Sequence, residues 1–226
     1  MIRLSGVTKL YRTAELETRA LAGIELNVLE GEFVAVMGPS GCGKSTLLNI
    51  VGLIDSPSSG RYYFGDHEIS GYSENRLAAL RKGRIGFIFQ SFNLIDELNV
   101  YENVELPLLY QGISRAQRRN LVREALELVD LSSRAKHRPE QLSGGQQQRA
   151  AVARAVVNDP SLILADEPTG NLDTKNGEDV MGMLETLHEQ GATILMVTHS
   201  PRYSARADRV VNLLDGRIVP ANKLAI

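Results

Sequence analysis

Apolar and polar positions alternate first with a period of two. In "IRLSGVTKLY" and "LAGIELNVLEGEFVAVMG", β-branched and apolar residues interleave with polar ones, and Gly23 and Glu30-Gly31 punctuate the runs as turns. The pattern predicts an early set of strands. "FVAVMG" is followed by "KSTLLNIVGL", which carries a helical stripe, so the order is strand, glycine loop, helix. "SSGRYYFGDHEI" predicts two short strands, "SENRLAALRKG" a helix capped by Ser73, and "RIGFIFQ" a buried strand ending at Gln90.

From Ser91 to about Asn158 the pattern turns helical. "ELNVYENVELPLLYQG" and "SRAQRRNLVREALELVDL" predict helices, the second with Leu121, Val122, Ala125, Leu126 and Val129 on one face. Pro107 is expected to break the first, and Asp159-Pro160 to stop the helix that starts in "LSGGQQQRAAVARA". "SLILADEP" and "ATILMVTHS" are short apolar runs with polar exits, as in parallel strands covered on both faces, and "TKNGEDVMGMLETLHEQG", ended by Gly191, is the helix joining them. No repeat, low-complexity tract or linker interrupts the chain. Residues 1–226 therefore read as one α/β domain with a helical subdomain inserted at about 91–158.

Composition narrows the function classes. With 43% hydrophobic and 23% charged residues the chain is an ordinary folded globular protein, and a net charge of −2 gives no basic excess for wrapping nucleic acid, which is not expected as a partner although local patches are left open. The one cysteine, Cys42, rules out an internal disulfide and a thiolate zinc cluster. No window approaches the roughly 18 apolar residues of a membrane span, and the start has no apolar core of signal-peptide length. The expectation is a protein that is soluble when isolated and reaches a membrane only by docking on another protein there.

The first chemical signal is "GPSGCGKST". Gly38, Pro39, Ser40, Gly41, Cys42, Gly43, Lys44 and Ser45, followed by Thr46, satisfy G-x-x-x-x-G-K-[ST] between a strand and a helix. Such a loop curls backbone N–H groups around a phosphate chain and adds the positive end of the helix dipole. Lys44 would neutralise β and γ phosphates, and Ser45 would donate its hydroxyl oxygen to magnesium. The bland alternative is a flexible glycine turn beside a surface lysine. Cys42 reads as a small side chain tolerated between glycines, with a reactive thiol as the other reading.

Further groups stand at strand exits, where a parallel sheet places its ligand crevice. Asp166 fits a magnesium role and Glu167 that of polarising an attacking water; a solvated turn before Pro168 is the alternative. His199 ends another apolar strand and could touch a γ phosphate or orient the water, or could be structural. The Gln90 amide could complete magnesium or water coordination. Tyr11 could stack on a purine or simply close the first strand.

A second glycine site, Ser143, Gly144, Gly145 and Gln146, opens a helix without a lysine; Ser143 can cap it, and the glycines permit close approach of an anion. Here the sequence resembles the ATP-binding cassette (ABC) family, whose signature is LSGGQ. Gly38–Ser45, Gln90, Asp166-Glu167, Asn171-Leu172-Asp173 and His199 stand in the family order, so the resemblance covers nearly the whole chain. It implies a P-loop NTPase fold with an ABC-type mixed sheet core, an antiparallel β subdomain and the inserted helical subdomain. It also implies ATP hydrolysis with Mg2+, and a homodimer in the ATP-bound state in which the phosphate loop of one copy and the LSGGQ of the other enclose each nucleotide. Ser143 and Gly145 would then serve the partner's ATP, Asp173 would lie at the seam, and Tyr11 would be the adenine-stacking aromatic.

"YRTAELETRALAGIELNVLEGEFVAVMGPSGCGKSTLLNIVGLID", "FIFQSFNLIDELNVYENVELPLLY" and "DEPTGNLD" are similar to the MacB/LolD/FtsE-type branch of bacterial ABC ATPases. That resemblance implies an integral membrane permease, MacB- or FtsX-like, on a separate chain, and a site of work at the cytoplasmic face of the inner membrane. A periplasmic adaptor would be reached through the permease. "SFNLIDELNVYENVELPL" matches the region that receives a permease coupling helix. An FtsE-like regulatory ATPase signalling to a cell-envelope partner, and a soluble ABC ATPase outside transport, are the competing functions; a P-loop kinase would leave LSGGQ without a role.

Overall fold

Residues 1–12 and 17–220 are described by the structure, a computed structural model. In chain order its strands are β1 (Ile2–Arg12), β2 (Glu17–Val28), β3 (Phe33–Met37), β4 (Ser59–Phe64), β5 (His67–Glu68), β6 (Ile85–Phe89), β7 (Leu162–Asp166), β8 (Thr193–Val197), β9 (Arg209–Leu214) and β10 (Arg217–Val219). The α-helices are α1 (Lys44–Val51), α2 (Glu74–Arg81), α3 (Val100–Gln111), α4 (Arg115–Leu128), α5 (Gly144–Val156), α6 (Thr174–Glu189) and α7 (Pro201–Ser204). These gather into two compact units, one of Met1–Arg81 with the chain from Leu195 on, the other of Lys82–Ile194.

In the first unit the period-two segments pair as an antiparallel sheet in the order β2-β1-β4-β5. The register Ile2↔Val28, Leu4↔Leu26 brings the alternating apolar positions to one buried face, with Ile2, Leu4, Val7, Leu21, Ile24, Leu26 and Val28 all buried. Gly23 does not form the expected turn. It lies inside β2 with φ 75, between pairs whose register shifts from Val7↔Ile24 to Lys9↔Leu21. A positive φ serves a β-bulge as well as a turn, and the chain continues as strand. β3 pairs in parallel with β9, which turns at Asp215-Gly216 into antiparallel β10. Sequence reading did not predict α7, β9 or β10.

In the second unit β6 and β7 run parallel, with Ile85↔Leu162 and Phe89↔Asp166 in register. Their apolar cover includes α5, with Ala150, Ala151, Val152 and Ala153 wholly buried. Two helical expectations are corrected here. Pro107 sits inside α3 and does not break it, because the helix is secured at its start by the Asn99/Glu102 capping box and held down by buried Val100, Val104 and Leu108. In α4, Val122, Ala125 and Leu126 are buried together with Val129 just beyond, whereas Leu121 is 36% exposed. One residue turns a helix by about 100°, which carries Leu121 to the margin of the stripe. Among the described residues no helix is long and apolar enough to cross a membrane.

Candidate functional site

The loop from Gly38 to Gly43 joins β3 to α1. A Cβ on Gly38 would stand 2.1 Å from the Leu213 carbonyl oxygen, and one on Gly43 2.5 Å from that of Ala20, so the loop is pressed against the backbone of β9 and β2 where no side chain fits. Gly216 N–H donates to the Cys42 carbonyl at 2.9 Å, making the β9–β10 turn a wall of the loop. Cys42 is buried, and desolvation pushes its thiol above the ordinary range, which agrees with a packed small side chain. α1 starts with no side-chain cap and no acid in its first turn, so the positive end of its dipole is not offset there by a carboxylate of its own. Lys44 is 9% exposed, and its Nζ donates to the carbonyls of Gly38 at 2.9 Å and Pro39 at 3.0 Å. The ammonium is thereby held over the loop. Dipole and cation both suit a phosphate chain.

The same unit carries Tyr11 and His199. Tyr11, near the end of β1, is 42% exposed and donates its hydroxyl to Asp55 Oδ2 at 2.9 Å; desolvation, followed by that hydrogen bond, raises the phenol. His199 is exposed in the turn beyond β8, which is pinned by Thr198 N–H on the Val36 carbonyl at 3.1 Å and by Ser200 N–H on Thr198 Oγ1 at 3.1 Å.

The second unit carries the remaining groups. Asp166 is the last residue of β7, and Glu167 follows in the left-handed region at φ 47, a conformation a non-glycine residue holds only where its surroundings enforce it. Two bonds do so: Gly170 N–H closes a turn on the Glu167 carbonyl at 2.9 Å, and buried Gln148 of α5 donates to the Pro168 carbonyl at 2.6 Å. Gln90, just past β6, is clasped by Asn171: its Nε2 donates to Asn171 Oδ1 and its carbonyl accepts from Asn171 Nδ2, both at 3.1 Å. A Cβ on Gly170 would come within 2.8 Å of Gln90 Nε2, so glycine leaves room for the amide to lie there.

Ser143 caps α5 in a capping box with Gln146, at 3.3 and 3.0 Å. Asp173 caps α6, accepting from Asn176 N–H at 2.9 Å and Asn176 Nδ2 at 2.6 Å, and these bonds hold its carboxyl below the ordinary range. Asn176 also explains Gly145 in packing terms, since a Cβ there would lie 2.0 Å from Asn176 Oδ1. Sequence reasoning missed this contact, and with it Arg154 and Asn103. Arg154 of α5 donates to the carbonyls of Asn93 and, at 2.9 Å, Phe92, two successive residues of positive φ. Asn103, fully buried, donates to the carbonyls of Ile95, Leu98 and Asn99 and accepts from Ile95 N–H. Together they fasten the segment after Gln90. The signal for Asn103 was a polar residue on the apolar face between Val100 and Val104.

Among the described residues no group of three or more His, Cys, Asp and Glu could hold a metal ion. Asp166 offers a carboxylate oxygen and Ser45 a hydroxyl oxygen, each the kind of hard donor that magnesium takes beside phosphate oxygens.

Fold and loop define a P-loop ATPase cassette. The chain belongs to the ABC transporter family, whose model matches residues 21–170. It is 52% identical over 219 residues to the macrolide export ATP-binding/permease protein MacB 1/2 of Paracoccus denitrificans, covering 97% of this chain and 33% of that protein. The chain thus spans about a third of that relative's length. To the ABC transporter ATP-binding protein YknY of Bacillus subtilis it is 49% identical, over 98% of this chain and 96% of the relative. Among solved structures, a dimeric ATP-binding cassette in a post-hydrolysis state, bound to ADP and Pi, aligns with TM-score 0.90 at 44% identity over 97% of both chains.

Proposed function

We propose that the chain is the energy-coupling subunit of a MacB/LolD-type complex that exports a substrate, releases lipoproteins or transmits motion across the membrane. Two copies close around two ATP molecules and drive a permease on a separate polypeptide, at the cytoplasmic face of the inner membrane, with a periplasmic adaptor reached through that permease. The observation that carries this reading is the pair of glycine-opened helix starts: α1, uncapped and bearing Lys44, and α5, capped by Ser143 and bearing no lysine. Each is half of a pocket that a second copy completes. The dimeric form of the solved cassette supports the pairing. The permease is supported by the joint ATP-binding/permease name of the Paracoccus relative, and its separate chain by the Bacillus relative, nearly all of which is matched by the cassette.

In this reading Gly38 to Thr46 cradle the phosphates and Lys44 neutralises them. Ser45, Asp166 and Gln90 would hold magnesium, which would supply charge compensation to the phosphates. Glu167 accepts the proton of the attacking water, and His199 steadies the γ phosphate. Tyr11 stacks on adenine, while Ser143, Gly144, Gly145 and Gln146 close on the phosphates held by the other copy, with Asp173 at the seam. A mixing experiment tests the shared pocket: Lys44→Ala and Ser143→Arg chains are each inactive alone, but the mixed pair contains one pocket with an intact lysine facing an intact serine. Phosphate release should appear on mixing. A mixture no faster than the sum of its parents rejects the pairing.

A further inference from the structure

We infer that Lys9 and Asp55 are positioning residues for the Tyr11 ring, gripping it by its hydroxyl and from one face so that the other face meets the adenine. The inference rests on the reading of Tyr11 as the base-stacking residue. An aromatic ring near a strand end, 42% exposed, loses rotamer freedom when a base stacks on it. Here that freedom is already restricted. Asp55 Oδ2 accepts the phenol proton at 2.9 Å, and Asp55 Oδ1 accepts from Lys9 Nζ at 2.5 Å. Lys9 Nζ also donates to the Ser56 carbonyl at 2.9 Å and stands 5.0 Å from the ring centroid, within cation–π range. One face of the ring therefore carries the protein's own cation, leaving the opposite face for a ligand.

The grip is firmer than the ring it holds. Side-chain exposure is 13% for Lys9 and 29% for Asp55, so this ion pair is mostly shielded from water. Asp55 is itself tied down, with its N–H on the Asn49 carbonyl at 3.2 Å and its Oδ1 accepting from Ser56 N–H at 2.7 Å. Asn49 belongs to α1, the helix whose first residue is Lys44. The carboxylate that orients the ring is thus built on the helix that opens at the phosphate loop, and base and phosphates are registered against one rigid element.

Calorimetric titration with two probes, ADP and inorganic pyrophosphate, tests this without turnover. Tyr11→Ala should weaken ADP about tenfold and leave pyrophosphate unchanged, as loss of one base–aromatic stack does. Tyr11→Phe, which keeps the ring and cuts the grip, and Asp55→Ala should each weaken ADP about threefold to fivefold with pyrophosphate again unchanged, the scale of one hydrogen bond. Lys9→Met should act in the same direction. The double variant Tyr11→Phe/Asp55→Ala should bind ADP no worse than Asp55→Ala alone. An Asp55→Ala effect equal on both probes, or a Tyr11→Phe protein that binds ADP as the parent does, overturns the inference while leaving stacking intact. A Tyr11→Ala protein with unchanged ADP affinity removes the stacking reading itself, and the inference with it.

Discussion

Asn176 Oδ1 occupies the place where a side chain on residue 145 would begin, 2.0 Å from the ideal Cβ position at Gly145. Because the same Asn176 donates its backbone N–H and Nδ2 to Asp173, the opening of α5 and the cap of α6 are locked through one side chain. Gly145→Ala should therefore overpack this contact and destabilise the protein by about 1–3 kcal/mol. A second change, Asn176→Ala, should recover part of that loss in chemical denaturation. Additive losses in the double variant would show that the two residues do not compete for one space.

Lys44 is turned onto the loop it serves, bonded to the carbonyls of Gly38 and Pro39. Lys44→Ala should lower ATP affinity by at least about a hundredfold, as expected when a charged partner of phosphate is removed from a partly dry site. The change in melting temperature should be small. Lys44→Arg should not restore binding, since a planar fork does not replace a compact ammonium between two carbonyls.

Arg154 holds the carbonyls of Phe92 and Asn93, and burial lowers its guanidinium from the ordinary value without discharging it. Arg154→Met keeps much of the stem but removes both donors, and should cost about 2–3 kcal/mol of stability, the scale of hydrogen bonds to a charged group. Amide hydrogen exchange should rise selectively across residues 91–99, next to Gln90. Uniform acceleration over the whole chain would assign Arg154 a general structural role only.

Asp55 supplies a pH test. Desolvation opposes its ionisation, but hydrogen bonds from Lys9, Tyr11 and Ser56 N–H outweigh it and hold the carboxyl below the ordinary aspartate range. A depressed carboxylate contributes stability that is fully present above the unfolded value and is lost as pH falls through the folded one. The wild-type advantage over Asp55→Ala should therefore be constant above about pH 5 and shrink below about pH 4. Glu32, lowered by Arg209 against its own desolvation, titrates in both proteins and cancels in the difference.

Much of this was legible in the chain. The strand–loop–helix from Phe33 to Val51, the capped α5 and the polar exits of β7 and β8 follow from local periodicity and capping chemistry. What escaped depends on residues distant in sequence. Arg154 meets Phe92 and Asn93, Asn171 meets Gln90, and Asp55 meets Lys9 and Tyr11, and no spacing rule links such positions. Pro107 departs from expectation because packing of α3 outweighs a local helix penalty, and Gly23 because glycine's positive φ suits a bulge and a turn equally. The β9–β10 hairpin does carry a local signal, the turn dipeptide Asp215-Gly216, whose two residues both have positive φ.

In the proposed function, bound ATP joins two copies of this chain, each lacking half of its own pocket. Light scattering of the Glu167→Gln protein in saturating ATP and magnesium measures this directly, because binding persists while hydrolysis stops. The mass should double on adding ATP, and it should return to that of one chain when Ser143→Arg is added to the same protein. A Glu167→Gln protein that keeps the mass of a single chain with ATP fully bound would show that the pocket is not shared.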